Sequence, residues 1–505
     1  MRSNETIIHG TPTGVASHFR MVLPMAWRSL GITKPSDKVA RAWKKSPVSE
    51  DINIDTKRRN YFTQETSSLL LDKALWIEPN EGSGWPLSIK VIHESQDIST
   101  NVIISAPSLV LFEAGEERKQ ERDSPLHVAF MLMDVFFPDG VSIDNFLTIS
   151  EVFRYWEEPF QQLYSERKLS ISQVGDHALR HYSIIWQPAF SLAKLVHFEN
   201  RLFEVSTPED TDFPLKRFYA DNRAFVCSFC QFQKNSVKGC LENAIDHSMK
   251  SDWTRHSDEI APWIKLLNVD PHKPNEAFTA SAFEAEWAKP RTYLRWAHCG
   301  TLHGFTTHSY AWLYTNDASE EWNQKMASDF RTHYTDLTLY CFYLRQVLMR
   351  FNARLFLITK NLHHHTSDEK LLSEARKHYG QLREQYLVFE NLYRFPLLST
   401  QQQPLEMYEI QQRELDVDVL YQEMSQQIQN SDEFFAAKIA ASQAQSLEKI
   451  NHLVILSTVV SIVSAVAALA ALRENQIICI AFAGLLIALI LTFAAFHIKN
   501  FKNDL

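Results

Sequence analysis

LVILSTVVSIVSAVAALAAL, residues 453–472, is a run of twenty residues without a charge. At about 1.5 Å rise per residue, a helix of that length spans roughly the 30 Å hydrocarbon core of a bilayer. Four polar residues follow, Arg473, Glu474, Asn475 and Gln476, and a second apolar run extends from Ile477 to Ile498. So short a connection between two such runs admits only an antiparallel helical hairpin. The stretch sets the expected class: an α+β membrane protein whose soluble bulk precedes a C-terminal two-helix transmembrane hairpin.

The flanks of the hairpin orient it. Lys438 and Lys449 precede the first run, Lys499 and Lys502 follow the second, and the turn offsets Arg473 with Glu474. The positive-inside rule then places both termini in the cytoplasm. The N-terminal MRSNETIIHGTPTG lacks the basic-then-apolar pattern of a signal peptide, which agrees with that topology. Six cysteines in 505 residues do not make a disulfide framework, so reduced thiols are expected. A net charge of −9 is mild for this length and argues against direct nucleic-acid binding. From Thr366 to Ile450 there are 14 acidic against 8 basic residues, so the excess acid leads into the membrane segment.

Upstream, residues 1–60 read as an irregular, partly basic arm with one short helix. Residues 61–258 read as an α/β domain. Their short apolar runs (SLLLDKALWI, PLSIKVI, NVIISAPSLVLF, HVAFMLMDVFF, HYSIIW, RLFEVS, RAFVCSFCQF) have strand character, and one helix interrupts them near 142–167. Residues 259–315 form a mixed helical connector. Residues 316–452 read as long stalk helices: Asn316–Lys360 has neither Gly nor Pro, a second helix runs from Ser367 to Tyr393, and Pro396 and Pro404 break the chain. From Leu405 to Leu472 nothing must stop a helix, so an unbroken one is expected to run into the apolar stretch. The hairpin occupies 453–498 and a short tail 499–505.

That order of parts resembles the CorA superfamily of two-span divalent-cation channels. The likeness lies in ELDVDVLYQEMSQQIQNSDEFFAAKIAASQAQSLEKINHLVILSTVVSIVSAVAAL (Glu414–Leu469), similar to the family's stalk and pore helix. FRTHYTDLTLYCFYLRQVLMRF (Phe330–Phe351) resembles the helix before it. The resemblance implies a homopentamer in a bacterial plasma membrane, with the first span lining a pore. It covers residues 316–498; the N-terminal half matches in outline only. The family's Gly-Met-Asn motif at the outer end of the first span is missing: Ala470, Ala471, Leu472, Arg473, Glu474 and Asn475 stand there. Without it no carbonyl-lined site for hydrated Mg²⁺ can be inferred, and a ring of Arg473 would oppose cation passage unless Glu474 neutralises it. Filter-less relatives encoded beside type III CRISPR systems look like antiviral membrane effectors switched by a nucleotide second messenger. The resemblance therefore implies a gated pore with a ligand-sensing domain. A constitutive Mg²⁺ channel and a membrane-tethered scaffold are the alternatives.

Ser457, Ser461, Ser464 and Ala468 recur on one face of the first span. They read either as a pore lining, with Arg473–Gln476 as its outer mouth, or as small-residue packing between membrane helices. In RWAHCGTLHGFTTHSYAWLY (295–314), Arg295, Trp296, His298, His303 and His308 are candidate ligand contacts: guanidinium for phosphate, rings for a base. The competing reading is an ordinary strand–turn–strand. Gly300 and Gly304 mark a tight turn in a chain with only 13 glycines. Asp416, Asp418 and Glu423 read as a regulatory divalent-ion site, as in CorA gating, or as a solvated acidic face. Cys227 and Cys230, with Cys240 and His247, read as zinc ligands or as buried thiols on a strand. No cofactor is certain; a divalent cation such as Mg²⁺ and a nucleotide second messenger are the candidate ligands. No phosphate-binding loop, nucleophile elbow or metalloprotease pair occurs, so the expectation is a protein that is not an enzyme.

Overall fold

Short runs rich in Val, Ile and aromatic residues suit a pleated surface, and here they pair into one sheet, fourteen-stranded among the described residues. The structure, a computed structural model, describes residues 7–9, 17–26, 43–45, 52–79, 85–93, 96–105, 108–112, 124–138, 141–154, 169–172, 223–232, 237, 240, 253, 257–269, 281–315, 318–364, 369–471 and 484. The chain divides into two units, Met1–Met424 and Ser425–Leu505.

The strands of the first unit are β1 (Ile7–His9), β2 (His18–Ala26), β3 (Trp43–Lys45), β4 (Leu75–Pro79), β5 (Trp85–His93), β6 (Gln96–Ile104) and β7 (Ser108–Phe112). They continue with β8 (Val128–Phe136), β9 (Val141–Ser142), β10 (Leu169–Ser172), β11 (Phe225–Phe232), β12 (Thr292–Tyr293), β13 (Thr301–Phe305) and β14 (Ser309–Thr315). The main path runs β10-β5-β6-β8-β2-β11-β14-β13-β12. Neighbours are antiparallel except β11 and β14, which pair in parallel from Val226↔Ser309 to Phe232↔Thr315. Among the helices are α1 (Ile52–Tyr61), α2 (Ile143–Arg154), α3 (Ser257–Asn268), α4 (Ser281–Ala288), α5 (Glu320–Asp329), α6 (Thr335–His364), α7 (Glu369–Leu392), α8 (Gln402–Glu414) and α9 (Val417–Ala471).

Alternation along each strand divides the sheet into two packed faces. Phe19, Met21 and Leu23 of β2 join Phe146 and Phe153 of α2 and Trp263 and Leu267 of α3 in one buried core. The opposite face carries His18, Phe229 and Trp312, whose rings lie 5.1, 5.4 and 6.1 Å from Phe330. Helices on both faces of a sheet make a three-layer unit.

Charge on that second face is paired. Arg20 stands opposite Asp134 in the β2–β8 register, and its Nε and Nη2 donate to the two carboxylate oxygens at 2.7 and 2.8 Å. Burial pushes the Asp134 carboxyl up, but the Arg20 charge and hydrogen bonds outweigh it and hold it below the usual range. A π-helical turn, Phe330–Tyr334, joins α5 to α6, with Thr332 at φ −108, ψ −109. Its wider ring frees backbone carbonyls, and Arg20 Nη1 donates to that of Arg331 at 3.1 Å. Arg58 of α1 forks onto Asp336 at 2.7 and 2.6 Å, with both side chains buried. Burial pushes the Asp336 carboxyl up, and Arg58 opposes the rise.

Several expectations change. The arm at 1–60 contains β2, a central strand: FRMVLPMA alternates as a strand does, and its arginine is tolerated because Asp134 meets it. Residues 259–315 are no separate connector, since β12–β14 belong to the same sheet and β11 pairs directly with β14. SLLLDKALWI is not one strand; Ser68–Lys73 is π-helical and only Leu75–Pro79 is extended. Of the helix expected over 316–360, α5 begins at Glu320 and α6 runs on past 360 to His364, with the π turn between them, while 316 and 317 lie outside the described residues. The helix expected from Leu405 to Leu472 breaks at Leu415–Asp416, where Asp416 takes φ 54. Of the helix placed near 142–167, α2 ends at Arg154 and the remainder lies outside the described residues, as do HYSIIW and RLFEVS.

Removing one member of a buried ion pair strands the other charge, which costs about 3–5 kcal/mol, whereas replacing both with apolar groups is often near neutral. Arg58→Met alone should therefore lower the thermal midpoint by far more than Arg58→Met with Asp336→Leu. Equal losses in the two variants would contradict the buried-pair account.

Candidate functional site

Between Val417 and Gly484 the sequence has neither Gly nor Pro, so nothing interrupts i→i−4 bonding and α9 runs for 55 residues. It is long and apolar enough to cross a membrane, and none of its most apolar stretch is buried within the chain. Leu453, Val454 and Ile462 are each more than half exposed. A contiguous apolar surface of that extent is not stable against water and requires a cover.

The hydroxyls of the stretch satisfy themselves. Ser457 donates to the Val454 carbonyl at 2.9 Å, Ser461 to Ser457 at 2.8 Å and Ser464 to Val460 at 2.9 Å. Such back-bonding lets a hydroxyl sit in an apolar medium without an orphaned donor. Ser457, Ser461, Ser464 and Ala468 are all exposed and share one face. Among the described residues from 453 to 468, those less than fully exposed are Val459, Val463 and Val466. At 100° per residue they lie on the opposite side, so the serine face stands open. Arg473, Glu474, Asn475 and Gln476 and, apart from Gly484, the second apolar run lie outside the described residues.

Within the segment 295–314 a 3-10 turn, Ala297–Cys299, leads into β13, which pairs antiparallel with β14, the arrangement of the strand–turn–strand reading. Gly300 takes φ 77 between a short 3-10 turn and β13. A Cβ at Gly304 would meet Leu267 at 2.5 Å and Trp263 at 2.6 Å, so the glycine permits the sheet to approach α3. His303 is buried in β13, its Nδ1 3.0 Å from the Tyr310 hydroxyl and its ring 4.5 Å from Trp312. Trp296 and His298 are exposed before β13, and His308 is exposed at the hairpin tip beyond it. Three of the five expected ligand contacts lie side by side, with the Arg295 guanidinium 5.9 Å and the His298 ring 6.2 Å from the Trp296 ring, whereas His303 is buried within β13 and His308 stands at the hairpin tip beyond it.

Arg295 has a different partner. Its Nη1 donates to both Glu406 oxygens at 2.8 and 2.9 Å, and Tyr293 Oη donates to Glu406 Oε2 at 2.6 Å. Burial pushes the Glu406 carboxyl up, but these two donors outweigh it and keep it below the usual range. Two residues back, Arg291 pairs with Glu414 at 2.7 Å. The Arg413 guanidinium reaches the Pro290 carbonyl, and Thr307 Oγ1 donates to the Glu414 carbonyl at 3.1 Å. Residues 291, 293 and 295 alternate toward α8 and clasp its carboxylates. The sequence signal was there, since Arg-x-Tyr-x-Arg has strand period and Glu406 and Glu414 lie two helical turns apart; only tertiary pairing matches them.

The acidic trio on the stalk is dispersed. Asp416 occupies the break, Asp418 lies 3.7 Å from Arg394, and all three carboxylates of Asp416, Asp418 and Glu423 are on exposed residues. Cys227 and Cys230 fall on opposite faces of β11, as residues three apart on a strand must. Cys227 shares the register of Arg20, while Cys230 and Cys240 pack in the α2–α3 core. Burial pushes the Cys227 and Cys240 thiols each to about 12. The zinc reading is thereby corrected to buried thiols; His247 lies outside the described residues. No group of three or more His, Cys, Asp or Glu that could hold a metal occurs among the described residues. Compared with known proteins, the chain matches no family model and no curated protein.

Burial pulls the His303 imidazole down to about 3, against about 6.5 in an unfolded chain. The unfolded state alone takes the proton between those values, so this stabilisation is whole above about pH 6.5 and is lost as pH falls toward 3. The loss should approach about 1.4 kcal/mol per pH unit. Unfolding measured from pH 7.5 to 5 should have a shallower slope in His303→Gln; an unchanged slope would contradict a neutral buried histidine.

Proposed function

We propose that the protein is an oligomeric, CorA-like membrane pore whose folded unit is cytosolic and biases the span that follows it. The observation that carries this reading is α9: one helix begins against the sheet unit and continues through an uncovered apolar stretch. An open face of self-satisfied hydroxyls on that stretch supports a wet lining, because a hydroxyl bonded to its own helix remains able to accept from water. The second apolar run completes the anchor as a hairpin, and the lysines on its flanks support cytoplasmic termini. By the resemblance the oligomer is a pentamer and the gating ligand a nucleotide second messenger. The missing Gly-Met-Asn motif weighs against a constitutive Mg²⁺ channel. Sensing draws no support from Arg295, which Glu406 already holds.

The test is accessibility in proteoliposomes, with Cys299 and Cys479 replaced. Single cysteines at Ser457, Ser461 and Ser464 should react with a membrane-impermeant thiol reagent, while cysteines at Val459 and Val466 should not. Ion flux should accompany the labelling. Protection of every position together with no flux would reduce the protein to a membrane-tethered scaffold.

A further inference from the structure

Helices α8 and α9 are held by different parts of the fold. Helix α8 is clasped to the strand edge through Glu406 and Glu414. The root of α9 is held by the end of α7: Tyr421 Oη donates to Glu390 at 2.8 Å, and the Arg394 guanidinium lies 3.7 Å over the Tyr421 ring. Between the two helices stand only Leu415 and Asp416.

That joint is strained without a sequence cause. Arg413-Glu414-Leu415-Asp416-Val417-Asp418 contains no Gly or Pro, yet Asp416 takes the left-handed φ of 54. Left-handed backbone disfavours any residue with a Cβ, Asp less than most. Its local preference is the continuous helix that the residues from Leu405 onward encode. The Asp416 carbonyl accepts from Leu420 N–H as the first turn of α9 closes, so the amides of Val417, Asp418 and Val419 precede the helical ladder.

We infer that Leu415–Asp416 is a two-state joint: the clasp on α8 holds the break, and its release lets α8 and α9 fuse into one helix. Fusion changes essentially one residue from left- to right-handed and gives three amides new acceptors, the carbonyls of Arg413, Glu414 and Leu415. The outer clasp, Arg295–Glu406, is partly exposed on both sides, so competing charge can reach it. The joint stands on the fold alone; its consequence for conduction rests on the proposed pore.

Hydrogen exchange of the full-length protein in lipid nanodiscs tests it. Glu406→Arg sets like charge against Arg295 and should raise protection of the Val417–Val419 amides at least tenfold. Asp416→Ala should act in the same direction, Asp416→Gly should not, and Arg295→Glu combined with Glu406→Arg should restore the original exchange. Faster exchange throughout Gln402–Glu414 without new protection at Val417–Val419 would overturn the inference, because α8 would then merely fray. New protection with no ion flux from any variant would support the joint and count against the pore.

Discussion

Arg20 and Asp134 face each other on adjacent central strands, in a layer rich in aromatic rings. Neither charge tolerates that position alone, so the pair dictates the β2–β8 register as firmly as any apolar contact. Arg20 still has a donor to place, and the π turn at Phe330–Tyr334 supplies the Arg331 carbonyl for it. Asp336, one step into α6, receives the Arg58 fork and fastens α1 to the same helix. A slipped register or a regular α turn would strand buried charge. The position of α6 follows from these pairs, and α7 and α8 pack on α6.

What the sequence revealed depended on how local the deciding physics is. The absence of Gly and Pro after Val417 and the polarity change near Leu453 are local properties, and the long helix follows from them. Strand character in RAFVCSFCQF was equally plain; that Cys227 and Cys230 face opposite sides of the sheet is a finding of the structure. The central place of β2 was not legible, because a basic residue in a short apolar run left 1–60 reading as an irregular arm until Asp134 is found 114 residues away. Arg295 was taken for a ligand contact for the same reason: its partner, Glu406, is 111 residues distant. The break at Asp416 escaped because nothing in the local sequence requires it. Tertiary clasps impose it against the local preference.

That conflict bears on the proposed function. A helix with no internal breaker transmits rotation and translation along its length, and α9 has none from Val417 to Ala471. The left-handed residue Asp416 lies at its root, between the clasp from the sheet edge on Glu414 and the one from Glu390 on Tyr421. A protein that must relay a state of its folded unit to an apolar helix needs a bistable element at that root. Under the proposed function, two clasps flanking a strained residue provide one.

The central claim is that one continuous helix leaves a folded unit and enters a bilayer. Spin labels placed singly from Ala440 to Ala471 in nanodiscs, with relaxation by molecular oxygen and by a soluble nickel chelate, test it directly. The account expects nickel accessibility to stay high through Asn451, to fall from Leu453 onward, and to rise periodically on the serine face. High nickel accessibility at every position as far as Ala471 would contradict it.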